Sequence, residues 1–252
     1  MQGGTAFFSL VFMEGPSINI LVEEVKSFRK QKIESVKGIV TTIDIVELTG
    51  KDVKAFKSWG KHFLICFDKF YLRVHFLMFG SYTVNTPKDR PSKLSITFSN
   101  GTLHLYTCSI QKHPGKPEKN YDWSSDLMSK KWDPALTVSR MKKFKEHQIA
   151  DVLLDQNIFS GSGNIIKNET LFWLQIHPER LISSFTHKQL SEISTRTRDY
   201  CYNFFIWKKA YTLKKHWKIY GKKKCLECGT DVLKKPTGLT KRRSFFCPNC
   251  QK

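Results

Sequence analysis

Apolar residues along this 252-residue chain follow first a helical period, then a strand period, then a helical one again. Ile18, Leu21, Val22, Val25 and Phe28 recur at helical spacing behind Pro16. A proline at the first helical position ahead of a 3.6-residue stripe predicts a helix from about 16 to 30. From Lys37 the runs become short and β-rich: Ile39-Val40, Ile43 and Ile45, His62 through Phe67, then Phe70 through Met78. Leu94, Ile96 and Phe98 alternate, Ser99-Asn100-Gly101 turns, and Leu103 and Leu105 alternate back, which predicts a hairpin. So many short strands need two packed sheets, so the first half reads as an antiparallel β-sandwich. Gln111 through Pro117 reads as a linker or exposed loop where two domains meet. Beyond it Ile149, Val152 and Leu153 share one helical face, and Leu190, Ile193, Tyr200, Cys201 and Phe204 share another.

Between those helices lies Ser160-Gly161-Ser162-Gly163-Asn164. A tight glycine turn entering a helix presents N–H groups at the positive end of the helix dipole, which suits a phosphate; an ordinary helix cap has the same appearance. Charge sharpens that choice. Lys and Arg number 42 against 22 acids, a net +20, and such an excess points to a polyanionic partner, with nucleic acid first and a membrane surface second. No apolar run approaches the ~18 residues of a membrane span, so no membrane partner is expected.

The last thirty residues hold the strongest motif. Cys225-Leu-Glu-Cys228 and Cys247-Pro-Asn-Cys250 lie eighteen residues apart around a basic loop. Two C-x-x-C turns bring four sulfurs onto one small ion, as in a closed structural zinc site; disulfides, a redox pair or chance are the other readings. Cys66, Cys108 and Cys201 are scattered in apolar runs, as buried thiols are. Residues 221–252 carry nine basic side chains against two acids, so the module should face phosphate.

Seven motifs in series resemble the formamidopyrimidine-DNA glycosylase and endonuclease VIII family: Glu14-Gly15-Pro16, Gly60-Lys61, His75 through Gly80, Leu153-Leu154-Asp155-Gln156, Gly163-Asn164-Ile165, Tyr220-Gly221, and the finger ending Phe246-Cys247-Pro248-Asn249-Cys250-Gln251. The resemblance implies an α+β fold: an N-terminal antiparallel β-sandwich flanked by helices, then a C-terminal helix-two-turn-helix domain with a zinc finger, with DNA in the cleft between them. The expected boundaries are an extension at 1–12, the sandwich as catalytic domain at 13–115, a linker at 116–133, the helical domain at 134–220 and the finger at 221–252. The activity implied is base-excision repair: removal of oxidised bases by flipping the nucleotide, followed by strand nicking. Glu-Gly-Pro at the start is closer to the endonuclease VIII branch, which tilts the substrate toward oxidised pyrimidines.

Carried over by residue, the catalytic set is Met13, Glu14 and Lys61, with Glu14 as the general acid/base and Lys61 as the phosphate-binding lysine. Asn164 resembles the turn asparagine that grips the phosphate beside the lesion. Arg242 or its neighbour Arg243 resembles the finger arginine on the other side, and Met78 the void-filling methionine. Met78 can equally be one more buried strand residue. Cys225, Cys228, Cys247 and Cys250 are the expected ligands of a structural zinc ion. Damaged DNA is the expected partner of a monomer, in the cytoplasm or at the nucleoid.

Two departures stand out. The family nucleophile is the α-amine of the first mature residue, just before the catalytic glutamate; here Met13 holds that place behind twelve residues. A peptide nitrogen cannot attack a sugar carbon, because its lone pair is delocalised. Either the mature chain begins at Met13, or the extension is real and the protein only hydrolyses damaged sites or is a silent binder of damaged or abasic DNA. The arginine-phenylalanine-glycine signature of many relatives is also missing from Tyr106 through Gln111.

Overall fold

The computed structural model describes residues 13–252, so the expectations attached to residues 1–12 lie outside the described residues. The chain forms two compact units that do not follow sequence order. Met13, Val22–Lys57 and His62–Lys116 belong to the first; Glu14–Leu21, Ser58–Lys61 and Pro117–Lys252 belong to the second.

The first unit is an antiparallel β-sandwich. Its strands are β1 (Ser35–Gly38), β2 (Ala55–Trp59), β3 (His62–Cys66), β4 (Phe70–Val84), β5 (Leu94–Phe98) and β6 (Gly101–Pro114), in the order β1-β5-β6-β4-β3-β2. The long strands β4 and β6 run through both layers. Residues 70–76 of β4 pair with 108–114 of β6 on the β3 side, and 81–84 pair with 103–106 on the β5 side. Alternating Leu94, Ile96, Phe98 and Leu103, Leu105 are buried, as their period requires. The hairpin turn is Ser99-Asn100, since Phe98 pairs with Gly101.

Two expectations change here. The first helix, α1 (Gly15–Glu24), stops short of residue 30 and gives way to a 3₁₀ turn at Lys26–Phe28. The tighter winding carries Phe28 onto Phe98, ring centroids 4.7 Å apart. The segment from Lys112 to Pro114, read as linker, continues β6, because each residue has a partner on β4.

Between Phe76 and Ser81 the register of β4 slips, so that four residues on β4 oppose Thr107 alone. Leu77, Met78 and Phe79 are expelled by this bulge, with Phe79 at φ 66° and Met78 72% exposed. The buried-strand reading of Met78 is thereby overturned.

The second unit contains α2 (Pro134–Met141), α3 (Ile149–Val152), α4 (Asn164–Trp173) and α5 (His187–Lys209), followed by the hairpin β7 (Leu233–Thr237) and β8 (Arg242–Phe246). The Asp133 side chain caps α2 by accepting from the Leu136 N–H, and Thr186 with Gln189 forms a capping box on α5. Residues expected as a linker at 117–133 are part of this unit. Leu127 and Asp126 are buried, and Leu127 N–H donates to Ser160 O while Ser160 N–H donates to Ser125 O.

Two early segments belong to this unit because three glycines let backbones touch. Gly15 N–H donates to Gly161 O at 2.8 Å, and a Cβ on Gly15 would meet Gly161 Cα at 2.7 Å. Gly60, at φ +51°, has Ser160 and Gly161 in the same position. Gly60→Ala should therefore lower the unfolding free energy by about 2–4 kcal/mol, combining left-handed strain with overpacking against backbone. Urea denaturation of the variant against wild type measures it.

Candidate functional site

Glu14 immediately precedes α1, yet its carboxylate caps a different helix. The Ile165 and Ile166 N–H groups of α4 donate to its Oε1 and Oε2 at 2.8 and 3.2 Å, and Gly163 N–H also contributes. The donors expected for a phosphate are thus taken up by the protein's own carboxylate. Gly163 makes room, since a Cβ there would lie 2.5 Å from the Glu14 carboxyl carbon. Burial pushes the Glu14 pKa up; the Lys61 charge and the three N–H donors oppose this without cancelling it.

Lys61 follows Gly60 in the tight turn between β2 and β3. Burial lowers its pKa most, the Glu14 charge raises it and the Arg242 charge lowers it further. The turn is held from below by Asp126, which is 2% exposed and accepts from Gly60 N–H at 3.3 Å and Met128 N–H at 2.9 Å. Burial drives the Asp126 carboxyl up to about 6. Gln156 fixes the glycine turn before α4: Gly161 N–H donates to its Oε1, and its Nε2 donates to Leu154 O and Ser162 O.

Asn164 opens α4 with its side chain bonded to the Tyr220 hydroxyl, while its buried Oδ1 has no partner among the described residues. Arg242 and Arg243 are adjacent, exposed residues of β8. Strand alternation puts Arg242 on the face of buried Ser244 and Phe246, and Arg243 on the other. Arg242 is also the arginine whose charge is felt at Lys61 and Lys167.

Glu14, Lys61, Asn164, Arg242 and Arg243 therefore belong to one unit, the second. Met13 and Met78 belong to the first, with Met13 half-buried and bonded directly to Glu14. The sequence reading missed Asp151, Lys167, Asn168 and Glu169. Asp151 accepts from Leu239 N–H, Thr240 N–H and the Thr240 hydroxyl. The Asn168 Oδ1 accepts from Phe245 N–H, and Glu169 accepts the N–H groups of Lys218, Ile219 and Tyr220. The available signal was Lys-Asn-Glu inside an otherwise apolar helical run, where no face is left for solvent.

The four finger cysteines bring their sulfurs within 4.8 Å of one another, with Cys225–Cys250 at 3.9 Å and Cys228–Cys247 at 3.4 Å. A disulfide needs ~2.05 Å, which removes that reading. Tetrahedral thiolates ~2.3 Å from one zinc ion stand ~3.8 Å apart, so donor set and spacing fit that ion. Cys66, Cys108 and Cys201 are buried thiols. No helix among the described residues is long and apolar enough to cross a membrane.

Comparison with known proteins agrees with this geometry. Residues 14–109 match the formamidopyrimidine-DNA glycosylase N-terminal domain, and residues 124–201 match the helix-two-turn-helix domain of the same family. The chain is 32% identical over 222 residues to endonuclease 8-like 3 of Xenopus laevis, covering 83% of this chain and 36% of that one. It is 25% identical to formamidopyrimidine-DNA glycosylase of Oceanobacillus iheyensis, over 81% of each. The chain spans about a third of the length of the first such curated relatives, the endonuclease 8-like 3 proteins. In fold it resembles the formamidopyrimidine-DNA glycosylase of Lactococcus lactis bound non-covalently to abasic-site DNA, with TM-score 0.83, 23% identity and coverage of 95% and 99%. A viral DNA glycosylase gives TM-score 0.80 at 22% identity, covering 95% and 100%.

The raised Asp126 pKa makes a stability prediction. The folded state holds this proton more tightly than the unfolded one, so stability from it is full below about 3.8 and lost as pH rises through about 6. Relative to wild type, Asp126→Asn should gain up to ~3 kcal/mol between pH 4 and 7. Chemical denaturation of both proteins across that range checks it.

Proposed function

Because the chain belongs to the formamidopyrimidine-DNA glycosylase and endonuclease VIII family, we propose that it is a base-excision DNA glycosylase with abasic-site lyase activity toward oxidised pyrimidines. The observation that carries this reading is Glu14: a buried carboxylate with a raised pKa, fixed by backbone N–H groups and flanked by Lys61. Such a group holds its proton to higher pH than an ordinary carboxyl and keeps it at a defined place, as a general acid must. The net charge of +20 supports a DNA partner.

In this reading the mature chain begins at Met13; that the family match starts at the next residue, Glu14, supports it. Its α-amine then stands beside Glu14, and with a pKa of about 7.7–8.0 a useful fraction is free at neutral pH. The amine nitrogen bonds to C1′ of the flipped nucleotide and sheds a proton, the base leaves with the glycosidic electron pair and is protonated, and Glu14 protonates the ring oxygen as the sugar opens to an imine. Loss of the C2′ proton and departure of the 3′ phosphate then nick the strand. Lys61 and Asn164 hold phosphate on one side and Arg242 on the other. Arg242 is preferred to Arg243 because it shares the Ser244 face and its charge reaches Lys61. Met78, expelled from β4 by the bulge, fills the space that the flipped nucleotide leaves; extruding a nucleotide costs a few kcal/mol and needs such a wedge. The finger is a zinc module whose metal supplies folding energy and takes no part in the reaction.

Four experiments test this. Intact mass locates the N-terminus, and borohydride trapping on abasic-site DNA should give a covalent adduct when Met13 is terminal. A Met13 terminus with no adduct refutes the lyase; binding of abasic DNA without reaction leaves the silent-binder reading. Glu14→Gln should slow base release about 10²–10⁴-fold while an adduct still forms at a ready-made abasic site. Removal of zinc with a chelator should unfold the finger and abolish DNA binding, seen by circular dichroism and fluorescence anisotropy; tight binding that survives metal loss contradicts the zinc assignment.

A further inference from the structure

Lys167 lies in the second turn of α4 and is fully buried. A lysine with no exposure is rare unless it is paired, yet its ammonium meets two neutral oxygens: Nζ donates to Arg243 O at 3.2 Å and to Ser244 Oγ at 2.9 Å. Ser244 Oγ is in turn 2.6 Å from Thr237 Oγ1 on the paired strand. The next residue of α4 continues the series, since Asn168 accepts from Phe245 N–H at 2.8 Å. Three successive residues of β8 are thus read by two successive residues of one helix.

The consequence lies in the strand period. Side chains alternate between faces, so a slip of one residue in β8 would exchange Arg242 for Arg243 on the face toward Lys61. On β7 the ladder specifies this weakly, because β7 is exposed along Leu233–Pro236; the register rests on the buried β8 face of Ser244 and Phe246, where Lys167 binds. An ammonium that requires a carbonyl and a hydroxyl at fixed positions rejects the slipped register, which would leave a buried charge without acceptors.

We propose that Lys167 is a positioning residue for the finger: its grip on Arg243 O and Ser244 Oγ fixes the β8 register that presents Arg242, and not Arg243, to DNA phosphate. This rests on the DNA-binding reading above. The electrostatics agree. Burial and the nearby Arg242 charge bring the Lys167 pKa down to about 7, against Asp151 and Glu14, which raise it. A phosphate on Arg242 would neutralise part of that opposing charge, so DNA binding should take up a proton here and weaken as pH rises from 7 to 8.5.

The test is a double-mutant cycle on the full chain. Lys167→Met, Arg242→Ala and the pair are measured by anisotropy on a duplex containing a tetrahydrofuran abasic analogue, at several salt concentrations and at pH 6.5 to 8.5. Lys167→Met should weaken binding about tenfold and reduce the salt slope by about one, while in the Arg242→Ala background it should add less than about twofold. Its proton-linked slope above pH 7 should also vanish. Equal weakening in both backgrounds, or no weakening in either, overturns the proposal. Should Lys167→Met lose zinc or melt, Ser244→Ala, which removes one acceptor and no charge, replaces it with the same non-additivity expected. A second readout needs no DNA: amide hydrogen exchange at Ser244 and Phe245 should accelerate at least about tenfold in the zinc-loaded variant. Unchanged exchange defeats the positioning role, whereas faster exchange without any wild-type DNA binding leaves that role standing and defeats the DNA reading.

Discussion

A carboxylate taken out of water and set on the N-terminus of α4 is the interaction on which the second unit depends. Burying Glu14 costs several kcal/mol before compensation, and the compensation comes from groups that need an anion anyway: helix N–H donors without intrahelical partners, and the positive end of the dipole. Burial still wins, which is why the pKa rises despite the donors. The glycines follow from this contact. Gly163 leaves room for the carboxyl group, and Gly15, Gly60 and Gly161 let three backbone segments approach closely enough to deliver it. A side chain at Gly163 would meet the carboxyl group itself, and one at Gly15 or Gly60 would meet the backbone of the Ser160-Gly161 segment.

The same helix carries the finger at its other residues. Lys167, Asn168 and Glu169 each bind finger or finger-entry backbone, while Ile165, Ile166, Leu171 and Phe172 fill the core around them. Glu169 repeats the device of Glu14, a buried carboxylate with a raised pKa holding three N–H groups, here those of residues 218–220. At the hairpin turn buried Asp151 accepts from the Leu239 and Thr240 N–H groups and the Thr240 hydroxyl, and Gly238 leaves room for it. Buried acids that hold backbone N–H groups therefore join segments that apolar packing alone would leave free to slide. The four-cysteine cluster closes the finger on itself; the polar residues of α3 and α4 fix where it sits.

Much of this was legible in the sequence, and what was not has a physical reason. Period-2 alternation announced the β5–β6 hairpin, and paired C-x-x-C turns announced the cysteine cluster, because both signals are local. The end of α1 was missed because Phe28 keeps helical spacing while its contact, Phe98, lies seventy residues away. Met78 could not be placed from alternation, since the β4 bulge breaks the period that a strand reading assumes. The Gly163-Asn164 turn was weighed as a phosphate site against an ordinary helix cap; the carboxylate that accepts from Ile165 there is Glu14, 151 residues earlier. Lys167 and Glu169 were missed because only tertiary structure reveals that the face of α4 they occupy is buried.

The division of the chain carries a further consequence for how the site forms. By sequence, Glu14 and Lys61 fall inside the β-sandwich half, yet both pack in the helical unit, whose donors come from residues beyond 160. Contacts of such sequence separation are late in folding, since the loop entropy must be overcome before any of them forms. The β-sandwich, with hairpins and adjacent strands, can assemble from nearer contacts. Until α4 exists, Glu14 has no N–H donors and no reason to leave water, so its pKa stays in the ordinary carboxylate range. The acid thus becomes a tuned group only when residue 14 meets the N-terminus of α4.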